Sequence, residues 1–439
     1  MVEIENFLPI LTFILFFITI GNILIFNFDI MQPAVITSCT MMLSLFLGTI
    51  NIERWNLFVG SYTSIIFLLG LIAFFSGCLF SQYTYFINRK NKPNVRVIHY
   101  SASYVVIFAM ALIVLILAYL SGREMYNMSL ALGNNDGLTN MIKIIRYPFE
   151  KGEISFSRWM RYRNLIAMSI ATVFLYIYCY KTTFIGESIR ENILYLLPTL
   201  CAIPFFFLST GRRSFIQFII TACVLMTIFF QQKKGYSSKI RLKILKLLGV
   251  AFSCSLVIYF LMGFLTGKVQ VGGRGPLTII SHYGGLSVPA LDIFLNNSQI
   301  ENQYIGQNSL VSLYGNLNTL GMHLELGRNF LPFVQFQGID YIDTNVYTVL
   351  YRMIADWSIL GMIMTMFICG SLITLCYDYL KYNSNPLLLV LYAYFGYIPF
   401  FLFIDDQFMT IFTTENIYFS IMCAILLHFL KNTSTDTTQ

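Results

Sequence analysis

The chemistry in this chain is concentrated in a few arginines. Arg212 and Arg213 sit in a short hairpin, Ser209, Thr210, Gly211, Arg212, Arg213 and Ser214, between two apolar segments. Guanidinium forks take two oxygens of a phosphate at once, and a helix starting there, capped by Ser209 or Thr210, adds the partial charge of its free amides. The pattern suits a phosphate or pyrophosphate, and equally suits arginines that snorkel to lipid headgroups. Arg274 lies in the turn Gly272, Gly273, Arg274, Gly275, Pro276. Glycines there allow close approach of a ligand to the backbone, or simply make a solvated turn.

A fourth arginine belongs to a pattern. Asn345, Thr348, Arg352 and Asp356 recur at helical spacing after Asp343 and Thr344, either of which caps a helix. The spacing predicts one polar stripe with Arg352 and Asp356 paired at i and i+4, facing the bundle or an aqueous cavity because lipid does not solvate it. The pair is read as a binding or catalytic element, with a structural ion pair as the competing reading. Candidate general bases are His282, His323, Glu325, Asp356, Asp405 and Asp406, of which His323 and Asp356 are preferred. Tyr283, in the run Ser281 to Gly285, belongs to a semi-apolar segment ending at Asp292 that is either a partly inserted loop helix or a surface one. No histidines or carboxylates have metal-ligand spacing, so a metal-independent site is expected.

The elements that position these residues follow from composition. Of 439 residues, 57% are hydrophobic and 11% charged, far below the roughly 25% charged residues of soluble domains. Low-charge runs repeatedly reach the roughly 20 residues that cross a bilayer as helix. The sequence therefore predicts an all-α, polytopic integral membrane bundle with about eleven spans, near 7 to 26, 33 to 50, 57 to 81, 101 to 120, 164 to 182, 193 to 208, 213 to 231, 244 to 266, 358 to 377, 386 to 404 and 416 to 430. It reads as a single membrane domain, 1 to 439. Lys and Arg gather in two short loops, Arg89 to Arg96 and Lys233 to Lys246, which are placed on the cytoplasmic side. That leaves the N-terminus and the loops 121 to 163 and 267 to 357 outside. The net charge of +7 is mostly this cytoplasmic lysine and arginine, and no nucleic-acid partner is needed to explain it. The nine cysteines lie in or beside apolar runs and make no disulfide framework. Ionisable residues are almost absent from the span interiors, which argues against an ion-coupled transporter but leaves open a flippase with an uncharged polar cavity.

With these residues in view, the chain resembles the Wzy-type oligosaccharide repeat unit polymerases of bacterial O-antigen and capsule assembly. The resemblance rests on Thr210, Gly211, Arg212 and Arg213; on Gly273, Arg274 and Gly275; on Tyr283, Gly284 and Gly285 through Pro289, Ala290 and Asp292; and on Thr344 to Thr348 through Asp356 to Leu360 and Gly361. It implies a fold similar to C-type membrane glycosyltransferases and an enzyme of the bacterial plasma (inner) membrane working on the periplasmic or exterior face. Such an enzyme joins undecaprenyl-pyrophosphate-linked oligosaccharide units and releases undecaprenyl pyrophosphate, with no nucleotide sugar, metal or other cofactor. It implies Arg212, Arg213, Arg274 and Arg352 as pyrophosphate-binding, Tyr283 and Asn345 as substrate-binding, and His323 or Asp356 as the base. A chain-length regulator and a flippase are the implied partners in lipopolysaccharide or capsule biosynthesis. The alternatives are an O-antigen ligase-type transferase and a flippase of lipid-linked oligosaccharide.

Overall fold

The computed structural model describes residues 5–88, 97–150, 153–209, 213–235, 237–265, 276–297, 304–325 and 331–431. The chain is 76% helical, and among the described residues eight helices are long and apolar enough to cross a membrane. It is a membrane-embedded, multi-pass helical protein. Where the sequence expects three further spans, the apolar helices Pro33–Thr49, Pro386–Phe401 and Thr414–Leu430 are shorter than those eight. The chain divides into two compact units, each described by itself below.

The first unit comprises 1–90, 275–379 and 398–414. Leu8–Ile25 turns back through Asn27 and Phe28, both at positive φ, onto Pro33–Thr49, whose first turn is set by Pro33. Ser61–Asn88 crosses Leu350–Tyr382 where Gly77 and Gly370 meet, and a side chain at either would strike the other helix's backbone. Ser371 Oγ donates to the Gly77 carbonyl at 3.1 Å across this crossing. Small residues let helix backbones approach closely in lipid, where no hydrophobic drive pushes helices together.

The large loop is built into this unit. Pro276–Gly285 packs on Pro33–Thr49 with Gly48 and Gly285 in contact, and Ser44 Oγ reaches the Gly284 carbonyl at 2.5 Å. Tyr283 to Gly285 therefore belong to a loop helix packed on Pro33–Thr49. Ser287–Asn297 follows, with Asp292 accepting from the Gly60 amide at 2.9 Å, just ahead of Ser61–Asn88. Strands β1 (Val334–Gln337) and β2 (Tyr341–Thr344) pair antiparallel. The hairpin sits on the turn after Ile52–Trp55: Asp340 N donates to Arg54 O at 3.1 Å, and the Arg54 and Asp340 side chains pair at 2.5 Å.

The expected cap and polar stripe take a different form. Asp343 and Thr344 end β2, and residues 345–348 run as irregular chain before a helix that starts at Leu350. Tyr347 N and Val349 N bond the carbonyls of Ile404 and Leu402, at 3.1 and 2.8 Å, so this run pairs with distant chain instead of coiling. Only Arg352 and Asp356 of the four stripe residues are helical. The helix breaks at Ser358, at φ 60 and ψ −175, the residue where the sequence places the start of the ninth span.

The second unit comprises 91–274, 380–397 and 415–439. Tyr104–Ala131 and Arg158–Cys179 are capped by Ser103 and Ser157, whose hydroxyls accept from Val106 and Met160 amides. Tyr104–Ala131 runs past the expected end at 120, and Leu138–Glu150 is helical, so much of the expected loop 121 to 163 is helix. Arg123 and Glu124 lie among good helix formers, and Arg163 bonds Glu124 and holds the extension. The expected span 193 to 208 is broken into Ile193–Leu196, Leu197–Cys201 and Ile203–Leu208, with Pro198 and Pro204 each near a new start. Arg213–Lys234 and Ser238–Leu265 complete the long helices. The core here is largely aromatic, with Tyr100, Tyr176, Tyr180 and Phe229 in mutual ring contact.

Candidate functional site

Arg352 and Asp356 stand one turn apart in the first turns of Leu350–Tyr382, yet they do not pair. Arg352, 4% exposed, forks onto Asp405 through Nε at 2.8 Å and Nη2 at 3.0 Å, and its Nη1 donates to the Asn308 carbonyl at 2.7 Å. Asp356 accepts from Asn308 N at 2.9 and 3.1 Å, from Asn308 Nδ2 at 3.0 Å and from Ser309 N at 2.6 Å. The two side chains therefore grip opposite ends of one peptide-bearing residue, Asn308. A carboxylate offered backbone amides at this distance is better satisfied than by an arginine already held bidentately elsewhere.

The grip extends to His323. Gln307, next to Asn308, donates to the Glu325 carbonyl at 3.4 Å, and Asn318 clamps Leu324 from both sides, at 2.5 Å to its amide and 2.7 Å to its carbonyl. Between these pins His323 is exposed, at φ 48, with no hydrogen-bond partner among the described residues. A non-glycine residue held at positive φ costs free energy that neighbouring contacts must offset. The bonds join Arg352 and Asp356 through Asn308, and Gln307 beside it reaches Glu325, two residues from His323.

Asp405 and Asp406 complete the cluster. Asp406 is fully buried; its Oδ1 accepts from the amides of Phe408 and Met409, both at 2.9 Å, while Oδ2 has no partner among the described residues. Burial pushes its carboxyl up to about 7; the Met409 amide opposes this, Asp405 adds to it, and the Phe408 amide and Arg352 oppose it. Sequence reading included Asp405 and Asp406 among possible bases without linking them to Arg352, because a contact across 53 positions leaves no trace in local spacing.

The remaining candidates are placed as follows. Tyr283 is half-buried beside His282, whose ring Nε2 lies 2.6 Å from the Asp343 carbonyl. Asn345 is half-buried just past β2. Arg213 is exposed and belongs to the second unit, its guanidinium 4.8 Å from the centroid of the Tyr397 ring. The Ser209 hydroxyl donates back to Phe206 O at 2.8 Å and accepts from Ser214 Oγ at 3.1 Å, while the cap expected at Ser209 or Thr210 involves residues outside the described ones. Arg212 and Arg274, with Thr210 and the glycines around Arg274, lie outside the described residues, as do Arg89 to Arg96. Among the described residues no three histidine, cysteine, aspartate or glutamate side chains group as a metal set.

Comparison with models of protein families, with curated proteins and with solved structures finds no match to this chain.

Proposed function

We propose that the chain is a Wzy-type polymerase of the bacterial plasma membrane. It joins undecaprenyl-pyrophosphate-linked oligosaccharide units on the outer face and releases undecaprenyl pyrophosphate. The observation that supports this reading is the network that runs from Arg352 and Asp356 through Asn308, with Gln307 beside it reaching Glu325, next to a loop that carries at His323 an exposed imidazole without a hydrogen-bond partner among the described residues. Transfer of a saccharide from a pyrophosphate to a sugar hydroxyl needs a proton acceptor at the hydroxyl and positive charge at the leaving group. His323 serves as the acceptor.

The network also divides the roles. Arg352 is buried with its fork committed to Asp405, and both oxygens of Asp356 are engaged by Asn308 and Ser309. Both act as positioning residues for the loop that bears His323, which revises the pyrophosphate role read for Arg352 and the catalytic role read for Asp356. The pyrophosphate contacts fall to Arg212, Arg213 and Arg274, with Tyr283 and Asn345 on the sugar side. Eight long apolar helices, with three shorter apolar ones where the reading expects the remaining spans, support a polytopic bundle, and the reading takes its fold to be like that of C-type membrane glycosyltransferases.

The test is turnover of purified protein in liposomes with lipid-linked repeat units, scored as lipid-linked ladders. Wild type is expected to give ladders, and His323→Gln and Arg274→Ala single units. Polysaccharide moved onto a different acceptor would instead identify a ligase. Protein-dependent movement of the lipid across the bilayer with no ladder under any condition would identify a flippase and end the polymerase reading.

A further inference from the structure

A cleft of about 510 Å³ opens on the first unit between the turn at Asn56, the helix Ser287–Asn297 and strand β1. Its volume falls in the usual range for small-ligand sites, roughly 300–1,000 Å³. The lining is unusual in its chemistry. Three side-chain amides face it, Asn56, Gln335 and Gln337, all exposed and none with a hydrogen-bond partner among the described residues. Gln335 and Gln337 are two apart on β1, so strand geometry puts both on one face. Phe58 adds a ring 36% exposed, and Asp292 adds a carboxylate whose two oxygens each hold one donor, Gly60 N and Asn296 Nδ2.

That set recognises one class of ligand. Planar amides offer a donor and an acceptor side by side, matching pairs of neighbouring hydroxyls, and a carboxylate oxygen with one donor still accepts a second. An exposed aromatic ring covers the apolar C–H face of a sugar ring. Among the described residues no lysine or arginine lines the cleft, and Asp292 disfavours anions, so the lining suits a neutral ligand better than phosphate or pyrophosphate. The walls are pre-formed. A side chain at Gly338 would lie 2.6 Å from both Arg54 O and Asn56 N, so only glycine lets the hairpin sit this close to the Asn56 turn.

We propose that this cleft binds neutral sugar residues of a saccharide chain. As a description of the substrate's sugar portion, it rests on the polymerase reading. The roles separate accordingly: the arginines take the carrier end, and Asn56, Gln335 and Gln337 take the sugar end and set which repeat unit is accepted.

The experiment presents purified protein in lipid nanodiscs to an array of neutral hexose, deoxyhexose and N-acetylhexosamine oligosaccharides and titrates the best of them, with inorganic pyrophosphate as the anionic probe. Wild type is expected to bind at least one neutral oligosaccharide. The Gln335→Ala/Gln337→Ala double variant, with an unchanged melting temperature because both side chains are exposed and unpartnered, binds it on the order of tenfold more weakly. Gly338→Ala, which displaces the wall, weakens it too. Pyrophosphate binding stays as in wild type. No neutral binding on the array, or equal binding by wild type and the double variant, overturns the proposal. Ladders from wild type with equal KM for the double variant would remove the cleft and leave the polymerase standing. Neutral-sugar binding lost in the double variant without any ladder from wild type would do the reverse.

Discussion

The two units hold themselves together with different chemistry. In the second, buried rings touch rings: Tyr176 stacks on Tyr180 with centroids 6.0 Å apart, and Tyr180 and Phe229 meet edge to face at 5.5 Å. The first buries a guanidinium, Arg352, and a carboxyl, Asp406, and pins loop backbone with Asn and Asp side chains. Burying charge is expensive and is tolerated only where partners are in place, whereas ring packing stabilises without directing any one side chain. The contrast is one of cost: ring packing dominates the core of the second unit, and the first keeps a costly polar network around Asn308.

Breaking that network is the largest test. Arg352→Ala leaves Asp405 without its cation and frees the Asn308 carbonyl, and it should cost about 3–5 kcal/mol in unfolding together with loss of ladders. The matched change in the second unit, Arg163→Ala at its pair with Glu124, should cost only about 1 kcal/mol and leave ladders intact. Equal losses from the two variants would erase the distinction between the units. Next, His323→Gln should leave stability within about 0.5 kcal/mol, since nothing described bonds the ring, while lowering kcat by roughly 100-fold or more with KM little changed. A variant that turns over normally would make the network purely structural.

Much of this was legible in the sequence, and the limits are instructive. The apolar runs gave the helices because a span needs only length and low charge, both local properties. Arg352, Asp356 and His323 stood out by type. Their connection did not, since Asn308 and Gln307 are ordinary loop residues whose importance comes from what folds onto them. The spacing of Asn345 and Thr348 mimicked a helix, but Val346, Tyr347 and Val349 favour extended chain, and pairing with Leu402 and Ile404 decided the matter. The cleft at Asn56 was invisible for the same reason, being assembled from three separate stretches.

Two smaller effects sharpen the comparison. Gly370→Ala should cost about 1–3 kcal/mol because its side chain would meet the backbone at Phe74, whereas Gly249→Ala, with nothing within 4 Å, should be neutral or slightly stabilising. Thermal melts of both variants in one detergent decide this. Asp406 makes the first unit pH-sensitive. Its folded-state carboxyl is raised to about 7, above the unfolded value, so the folded state holds the proton more tightly. The stability it contributes is full below about pH 4 and falls as pH rises through about 7. Melts between pH 5 and 8 should show this slope in wild type and its absence in Asp406→Asn, which keeps an oxygen for Phe408 and Met409.

The break at Ser358 bears on how movement is passed along the molecule. An unbroken helix of 33 residues would be one stiff rod, and any displacement of its Leu350 end would swing its Tyr382 end. With the axis interrupted at Ser358, the segment from Leu350 to Trp357 and the segment beyond it are two levers, each with its own anchor. Arg352 and Asp356 fasten the first lever to the loop, and the Gly77 and Gly370 contact fastens the second to its neighbour. A displacement of the loop therefore flexes a joint, and the segment beyond Ser358 stays where its glycine contact holds it.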